Sequence, residues 1–255
     1  MKIKVLGASG AELPGYNPPS LLLNDRILFD AGSLTHVLDL KDQLKIGDIF
    51  VTHAHLDHIT GIPFLAENVV FAKSKSPIRI FSIPPVIRAI KRHILNGSIW
   101  PDFTAIPNPR HPILNLIELK TGLPIRIRGY SITPYEVNHS VRAVGYLVED
   151  RRKRRFFYTG DTGPSKDFWG RIEERQLNCL IIEVSFPNRM EKMAIETGHL
   201  TPRLLKRELS KIKRMPEKVF ITHLKPKHAQ AIKTELQKLR IKNLKLLRDE
   251  ETIEI

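Results

Sequence analysis

Residues 52–61 read Thr-His-Ala-His-Leu-Asp-His-Ile-Thr-Gly, and four of the side chains that bind metals, His53, His55, Asp57 and His58, fall inside six consecutive positions. Imidazole and carboxylate are the donors that hold zinc, manganese or iron where water is to be activated. Residues 46–52, with Ile49, Phe50 and Val51, have the apolar run of a buried strand that ends at this point. Side chains alternate along a strand, so His53 and His55 project to the same side. If a helix begins next, Asp57 and His58 face a second position nearby. One short segment can therefore start two adjacent metal sites, and the fold must bring the remaining ligands to it.

The rest of the composition narrows the class. The chain has 255 residues, of which 42% are hydrophobic, enough for one large domain, and residues 1–255 are read as such. The lone cysteine, Cys179, cannot form an intrachain disulfide and sits in an apolar run, which predicts a small buried side chain in a reducing compartment. Residues 1–10 are too short and polar for a secretory segment, and no stretch reaches the roughly 18 apolar residues of a membrane span. A cytoplasmic protein with no membrane partner is expected. The formal net charge of +14 favours anionic partners such as phosphate esters, cyclic nucleotides or RNA. A lysine-rich solvated surface accounts for the same number.

Pattern and breakers place the elements. Strands are expected at residues 2–6, 20–23, 26–30, 69–72, 78–81, 113–119, 123–128, 130–137, 143–148, 156–159, 180–184 and 218–222, with two short strands at the end. Helices are expected at 34–41, 84–95, 165–176, 203–213 and 227–240. Gly7 to Gly10 form a loop that fits neither nucleotide-phosphate fingerprint. Asp30 either orients a metal ligand or caps a turn. Residues 93–103, with Trp100 and Phe103, have no periodicity and either line a substrate mouth or form a packed insertion. The basic run 151–155 reads as a hairpin tip; nucleic acid contact is the alternative, although no aromatic residue interleaves it. Thr201 and Pro202 have the residue types of a helix cap and first turn.

The order His-x-His-x-Asp-His resembles the signature of the metallo-β-lactamase superfamily. The longer string His-Ala-His-Leu-Asp-His-Ile-Thr-Gly is similar to that of its class II cyclic-nucleotide phosphodiesterases, as are segment 93–103, Glu183 to Asn188 and Gly-His-Leu-Thr-Pro at 198–202. The resemblance covers nearly the whole chain. It implies an α/β fold, the four-layer αββα sandwich, with halves at roughly 1–120 and 121–255 and the site between them. It implies two divalent ions, Zn, Mn or Fe. His53, His55 and His139 would hold one, Asp57, His58 and His223 the other, with Asp161 bridging. It assigns catalytic roles to Asp57, Glu183 and His199, and suggests substrate contacts from Trp100, Phe103, His199 and Lys225.

The function implied is a metal-dependent phosphodiesterase that hydrolyses 3′,5′-cyclic nucleotides to nucleoside monophosphates. The alternative is an RNA-processing phosphodiesterase resembling ribonuclease Z, which shares the ligands but usually carries a long Gly- and basic-rich arm that has no counterpart here. A non-catalytic nucleotide- or RNA-binding module would have lost ligands, and all seven positions are filled. A homodimer is the assembly this reading allows for.

Overall fold

The computed structural model describes residues 1–72, 76–165, 168–172 and 176–255, the side chain of residue 171 apart. Strands β1 (Lys2–Gly7), β2 (Ser20–Leu23), β3 (Ile27–Phe29), β4 (Asp48–Phe50), β5 (Ile78–Ser82) and β6 (Leu114–Glu118) belong to the first sheet. Strands β7 (Ile125–Ile127), β8 (Tyr130–Val137), β9 (Ala143–Glu149), β10 (Arg155–Tyr158), β11 (Cys179–Glu183), β12 (Lys218–Thr222) and β13 (Leu244–Leu246) form the second. The last strand, β14 (Thr252–Glu254), crosses back and pairs antiparallel with β1, giving seven strands in each sheet. The division at residue 120 therefore holds except for this final strand, which closes an edge that β1 would otherwise leave unpaired.

Period-two alternation builds the layers. In the second sheet Tyr146, Phe156, Tyr158 and Ile181 join the apolar cluster between the sheets, while Leu147, Phe157, Leu180 and Ile182 face the other way into a second cluster. That second cluster is completed by helices α6 (Phe168–Ile172), α8 (Pro202–Leu209) and α9 (Ala229–Lys238). On the first sheet, α1 (Leu34–Val37), α4 (Gly61–Phe71) and α5 (Pro84–Ala89) supply Leu34, Ile62, Leu65, Val69 and Val86 to the core. The result is helix, sheet, sheet, helix. Between the sheets Phe50 stacks on Phe81 at 4.8 Å and meets Phe29 at 5.5 Å and Tyr146 edge-on at 5.4 Å. Cys179 is fully buried and burial pushes its thiol up to about 12, so it packs as a small apolar group.

Several expected elements are redrawn. Residues 69–72 end helix α4 rather than forming a strand, because Ile62, Leu65, Ala66 and Val69 recur at helical spacing and all are buried. The expected helix 34–41 is two short pieces, α1 and α2 (Leu40–Gln43), the second capped by the Asp39 carboxylate. The helix from Pro84 changes to π-type hydrogen bonding over Ile90–Ile94. The segment between Asn188 and Gly198 holds a 3₁₀ turn and α7 (Glu191–Glu196) in place of a linker. In the expected helix 165–176, residues 166–167 and 173–175 lie outside the described residues. The basic run at 151–155 does turn between β9 and β10. No helix is long and apolar enough to cross a membrane among the described residues.

Phe50→Ala is expected to destabilise the protein by about 3–5 kcal/mol, because it empties the aromatic centre of the inter-sheet core. Phe71→Ala, at a side chain 76% exposed, should stay within about 0.5 kcal/mol. Urea unfolding of the two variants checks the contrast.

Candidate metal centre

The short strand β4 ends at Phe50, and its last residues carry the chain to His53 between the sheets. His55 stands at the N-terminus of α3 (Leu56–Ile59), which then presents Asp57 and His58. His139 follows β8, Asp161 follows β10, and His223 follows β12. The seven side chains thus come together from strand ends of both sheets.

Their donor atoms form two neighbouring groups, His53, His55, His139 and Asp161, and Asp57, His58 and His223, the atoms of each lying within 4.8 Å of one another. In the first, His53 Nε2 is 3.0 Å and His139 Nε2 3.2 Å from His55 Nδ1. Asp161 Oδ2 lies 3.7 Å from His53 Nε2 and 4.0 Å from His139 Nε2. In the second, His223 Nε2 is 3.3 Å from Asp57 Oδ2. The other oxygen of Asp161 lies 3.4 Å from His223 Nε2 and 3.5 Å from His58 Nε2. Each Asp161 oxygen therefore faces a different group.

Two buried atoms test whether a cation fits. His58 Nε2 and Asp161 Oδ1 find no hydrogen-bond partner among the described residues. Buried polar atoms left unpaired cost about 1–3 kcal/mol each. Their 3.5 Å separation is long for a hydrogen bond. It is close to the roughly 3.4 Å between two donors held about 2.1 Å from one tetrahedral ion. Nitrogen and carboxylate oxygen, without sulfur, are the donor set for zinc, manganese or iron. The residues fit a divalent cation.

Groups behind the donors set their direction. Asp30, fully buried, takes His58 Nδ1–H at 2.7 Å, Tyr158 O–H at 2.8 Å, and Thr52 N–H at 2.8 Å. With those bonds Asp30 orients a candidate ligand rather than capping a turn. His139 Nδ1–H donates to Gly198 O at 2.9 Å. Ser185 Oγ accepts from His223 Nδ1–H at 2.8 Å and donates to Glu183 Oε2 at 2.9 Å. These bonds leave Nε2 of His58, His139 and His223 free to face the cluster. Nothing in the sequence marks Tyr158, Thr52 or Ser185 for this role, since buried hydroxyls carry no spacing signature.

Glycines admit the close approach. A Cβ at Gly160, whose φ is +58°, would sit 2.7 Å from Thr52 Cβ. At Gly198, with φ +70°, it would sit 2.7 Å from His139 Cα. Both positions are closed to any larger residue.

Burial and neighbouring charges shift these groups in different directions. Burial holds His53 well below the ordinary imidazole value, and burial also lowers His55 and His139, so all three are neutral donors. Burial pulls His58 down too, but Asp30 and Asp161 outweigh it and hold its pKa well above that value. Burial raises Asp161, yet His223 and His58 hold it well below the usual carboxylate range. Asp57 is likewise brought to about 2, against its burial, by its hydrogen bond to His223.

The other sequence candidates lie at varied distances from this cluster. Glu183 is fully buried and holds His199 Nδ1–H at 2.6 Å, with Thr162 N–H at 3.2 Å and Leu200 N–H at 3.3 Å on its two oxygens. It backs His199 and does not face open solvent. His199, Asp161 and His223 form a third group of donors. The His199 nitrogen nearest Asp161, at 4.0 Å, is however the Nδ1 already committed to Glu183. That hydrogen bond leaves His199 beside the ligand set rather than in it.

Trp100 packs edge-on to Phe64 at 5.1 Å. Phe103 is only 5% exposed and belongs to the core, so its ring is packing and does not meet a substrate. Lys225 Nζ donates to Gly10 O at 3.2 Å and lies 5.5 Å from the Phe186 ring centre. Thr201 caps α8, accepting from Leu204 N–H.

Metal loading must displace the proton that His58 carries near neutral pH. Affinity for Mn²⁺ or Zn²⁺ is therefore expected to fall by about tenfold per unit as pH drops below the raised His58 pKa. Calorimetric titration in buffers of different protonation enthalpy should show proton release on binding. Asp30→Asn and Ser185→Ala should each weaken metal binding by about 10–100-fold with the seven donors intact. Unchanged affinity in both would remove their orienting role.

Residues 25–224 match the model of the β-lactamase superfamily domain. A ribonuclease Z from Methanococcus maripaludis is 28% identical, the match covering 79% of this chain and 81% of that protein. A probable 3′,5′-cyclic-nucleotide phosphodiesterase from Yersinia pestis is also 28% identical, over 73% of this chain but only 59% of its own length. The crystal structure of unliganded yeast PDE1 superposes with a TM-score of 0.84 at 20% identity, covering 98% of both chains. With the domain model matched across most of its length and the expected donors gathered at its strand ends, the chain belongs to the metallo-β-lactamase superfamily.

Proposed function

We propose that the protein is a phosphodiesterase that opens 3′,5′-cyclic nucleotides to nucleoside monophosphates with the help of two divalent cations. His53, His55 and His139 would hold one, Asp57, His58 and His223 the other, and Asp161 would serve both. Cations bound there supply Lewis-acid activation of water and positive charge to offset that of the phosphoryl oxygens.

The observation that carries this reading is the His199–Glu183 pair beside the cluster, at 2.6 Å. Phosphodiester hydrolysis needs a proton for the departing alkoxide. Burial lowers the His199 pKa, but Glu183 outweighs it and keeps the value raised, so the imidazolium is available. In-line attack of water on phosphorus breaks the P–O3′ bond, and His199 delivers its free Nε2 proton to O3′. Glu183 keeps the ring in register and compensates its charge. Asp57 contributes as a ligand whose carboxylate stays ionised. Trp100, with Phe64, offers an apolar wall for the base, and Lys225 adds positive charge beside His223.

A second reading, RNA processing of the ribonuclease Z kind, is supported by the even coverage of the archaeal relative, 81% of its length. The long arm that such enzymes usually carry has no counterpart in this chain, and that favours the smaller substrate.

Metal-loaded protein assayed side by side on 3′,5′-cyclic AMP, bis(p-nitrophenyl) phosphate and a tRNA precursor should cut the first two. Cleavage of the precursor alone would transfer the function to the second reading. His199→Ala should lower kcat by about 10²–10⁴-fold without loss of bound metal. The acid form of His199 is the active one, so the wild-type rate should fall as pH rises through its raised pKa, and Glu183→Gln should move that fall to lower pH. A drop in metal content in His199→Ala would instead make His199 a ligand. Trp100→Ala should raise KM with little change in kcat.

A further inference from the structure

The metal cluster occupies one end of the second sheet, where β8 leads to His139 and β10 to Asp161. At the other end of the same strands stand the turn into β8 and the hairpin between β9 and β10. The eight residues of β8 put the two ends roughly 25 Å apart.

This far end gathers cations from separate parts of the chain. Arg126 comes from β7 and Arg128 from the turn after it, Arg151 and Arg152 from the hairpin. Two grooves of about 430 and 370 Å³ meet there and share Gly129, Tyr130, Asp150 and Arg151. The nearby acids are already engaged. Asp150 holds Arg154 at 2.7 Å, Glu149 holds Lys153 at 2.8 Å and Arg155 at 2.5 Å, and Asp48 holds Arg128 at 2.6 Å. Arg126, Arg151 and Arg152 are exposed and have no carboxylate partner among the described residues.

The aromatic residue that the basic run lacks in sequence is supplied by the fold. Tyr130 stands between the two grooves, its hydroxyl held by Asn24 Nδ2–H at 2.6 Å. Gly129, at φ +86°, lets Arg151 cross the turn, since a Cβ there would lie 3.3 Å from its Nε. Unpaired arginines around a half-exposed ring are the elements that grip a single strand: cations for phosphates and a flat face for a base. A duplex hides its base faces. A membrane surface would want an apolar side chain to insert, and no large one is exposed in residues 125–131 or 149–155.

We propose that this end of the second sheet binds single-stranded nucleic acid, with phosphates on Arg126, Arg151 and Arg152 and a base on Tyr130. The surface stands independently of which phosphodiester the metal centre cleaves.

Fluorescence anisotropy of a labelled twelve-nucleotide oligouridylate, with the full chain in EDTA so that it is not cut, tests the proposal. Affinity should fall steeply with salt. R126A/R151A/R152A should bind at least tenfold more weakly, with a log–log salt slope smaller by about 2, for three phosphate contacts at roughly 0.7 each. Tyr130→Leu should also weaken binding, whereas Tyr130→Phe should not. K233A/K245A/R248A, which removes the same charge elsewhere, should bind as wild type. The Arg variant should keep its thermal midpoint and, when metal-loaded, its rate on bis(p-nitrophenyl) phosphate. Equal binding by the Arg variant, equal loss in both triple variants, or binding to phosphatidylserine vesicles in place of the oligonucleotide would overturn it.

Discussion

The carboxylate of Asp30 is the tie on which the metal centre depends. It leaves the end of β3 in a left-handed backbone conformation, φ +56°, and is fully buried between the sheets. A carboxylate in that position costs several kcal/mol unless donors converge on it. Here they do, from three directions: Thr52 through its amide and hydroxyl, His58 through Nδ1, and Tyr158 across from the second sheet. One anion thereby joins the sheets, sets the His58 ring and fixes the strand end from which His53 departs.

A second buried carboxylate does the same work on the opposite side. Glu183 ends β11 and takes Ser185, His199 and two backbone amides. Ser185 passes its orientation on to His223. The donors are therefore held from behind before any cation arrives, and their low conformational freedom is what makes a tight site feasible. The cost of this arrangement appears as unpaired buried atoms on His58 and Asp161, which a cation would satisfy.

The positive charge of the chain divides in space. Much of it is neutralised locally, as at Asp48, Asp150 and Glu149. Arg126, Arg151 and Arg152, without a carboxylate partner among the described residues, stand at the sheet end remote from the metal cluster, while Lys225 lies beside the cluster itself. Net charge alone, +14, could not have separated these surfaces.

Local pattern sufficed for most strands, for the cap at Thr201 and for the four donors at 53–58, because strand alternation, capping and dense ligand spacing are properties of short segments. Resemblance extended the reading to His139, Asp161 and His223, and to the layered sandwich. Local pattern misplaced residues 69–72, where β-branched residues end a helix whose buried face overrides their propensity. It left Phe103 between a substrate mouth and a packed insertion, and the ring is in the core.

What the sequence by itself determined is the donor chemistry and the alternation that buries one face of each strand. Only tertiary structure decided which hydroxyls and carboxylates stand behind the donors, that β14 returns to the first sheet, and that Tyr130 lies among arginines from two separate turns. Those relations join residues far apart in the chain, 128 positions between Tyr158 and Asp30, and distances across a folded core leave no periodic trace along the chain.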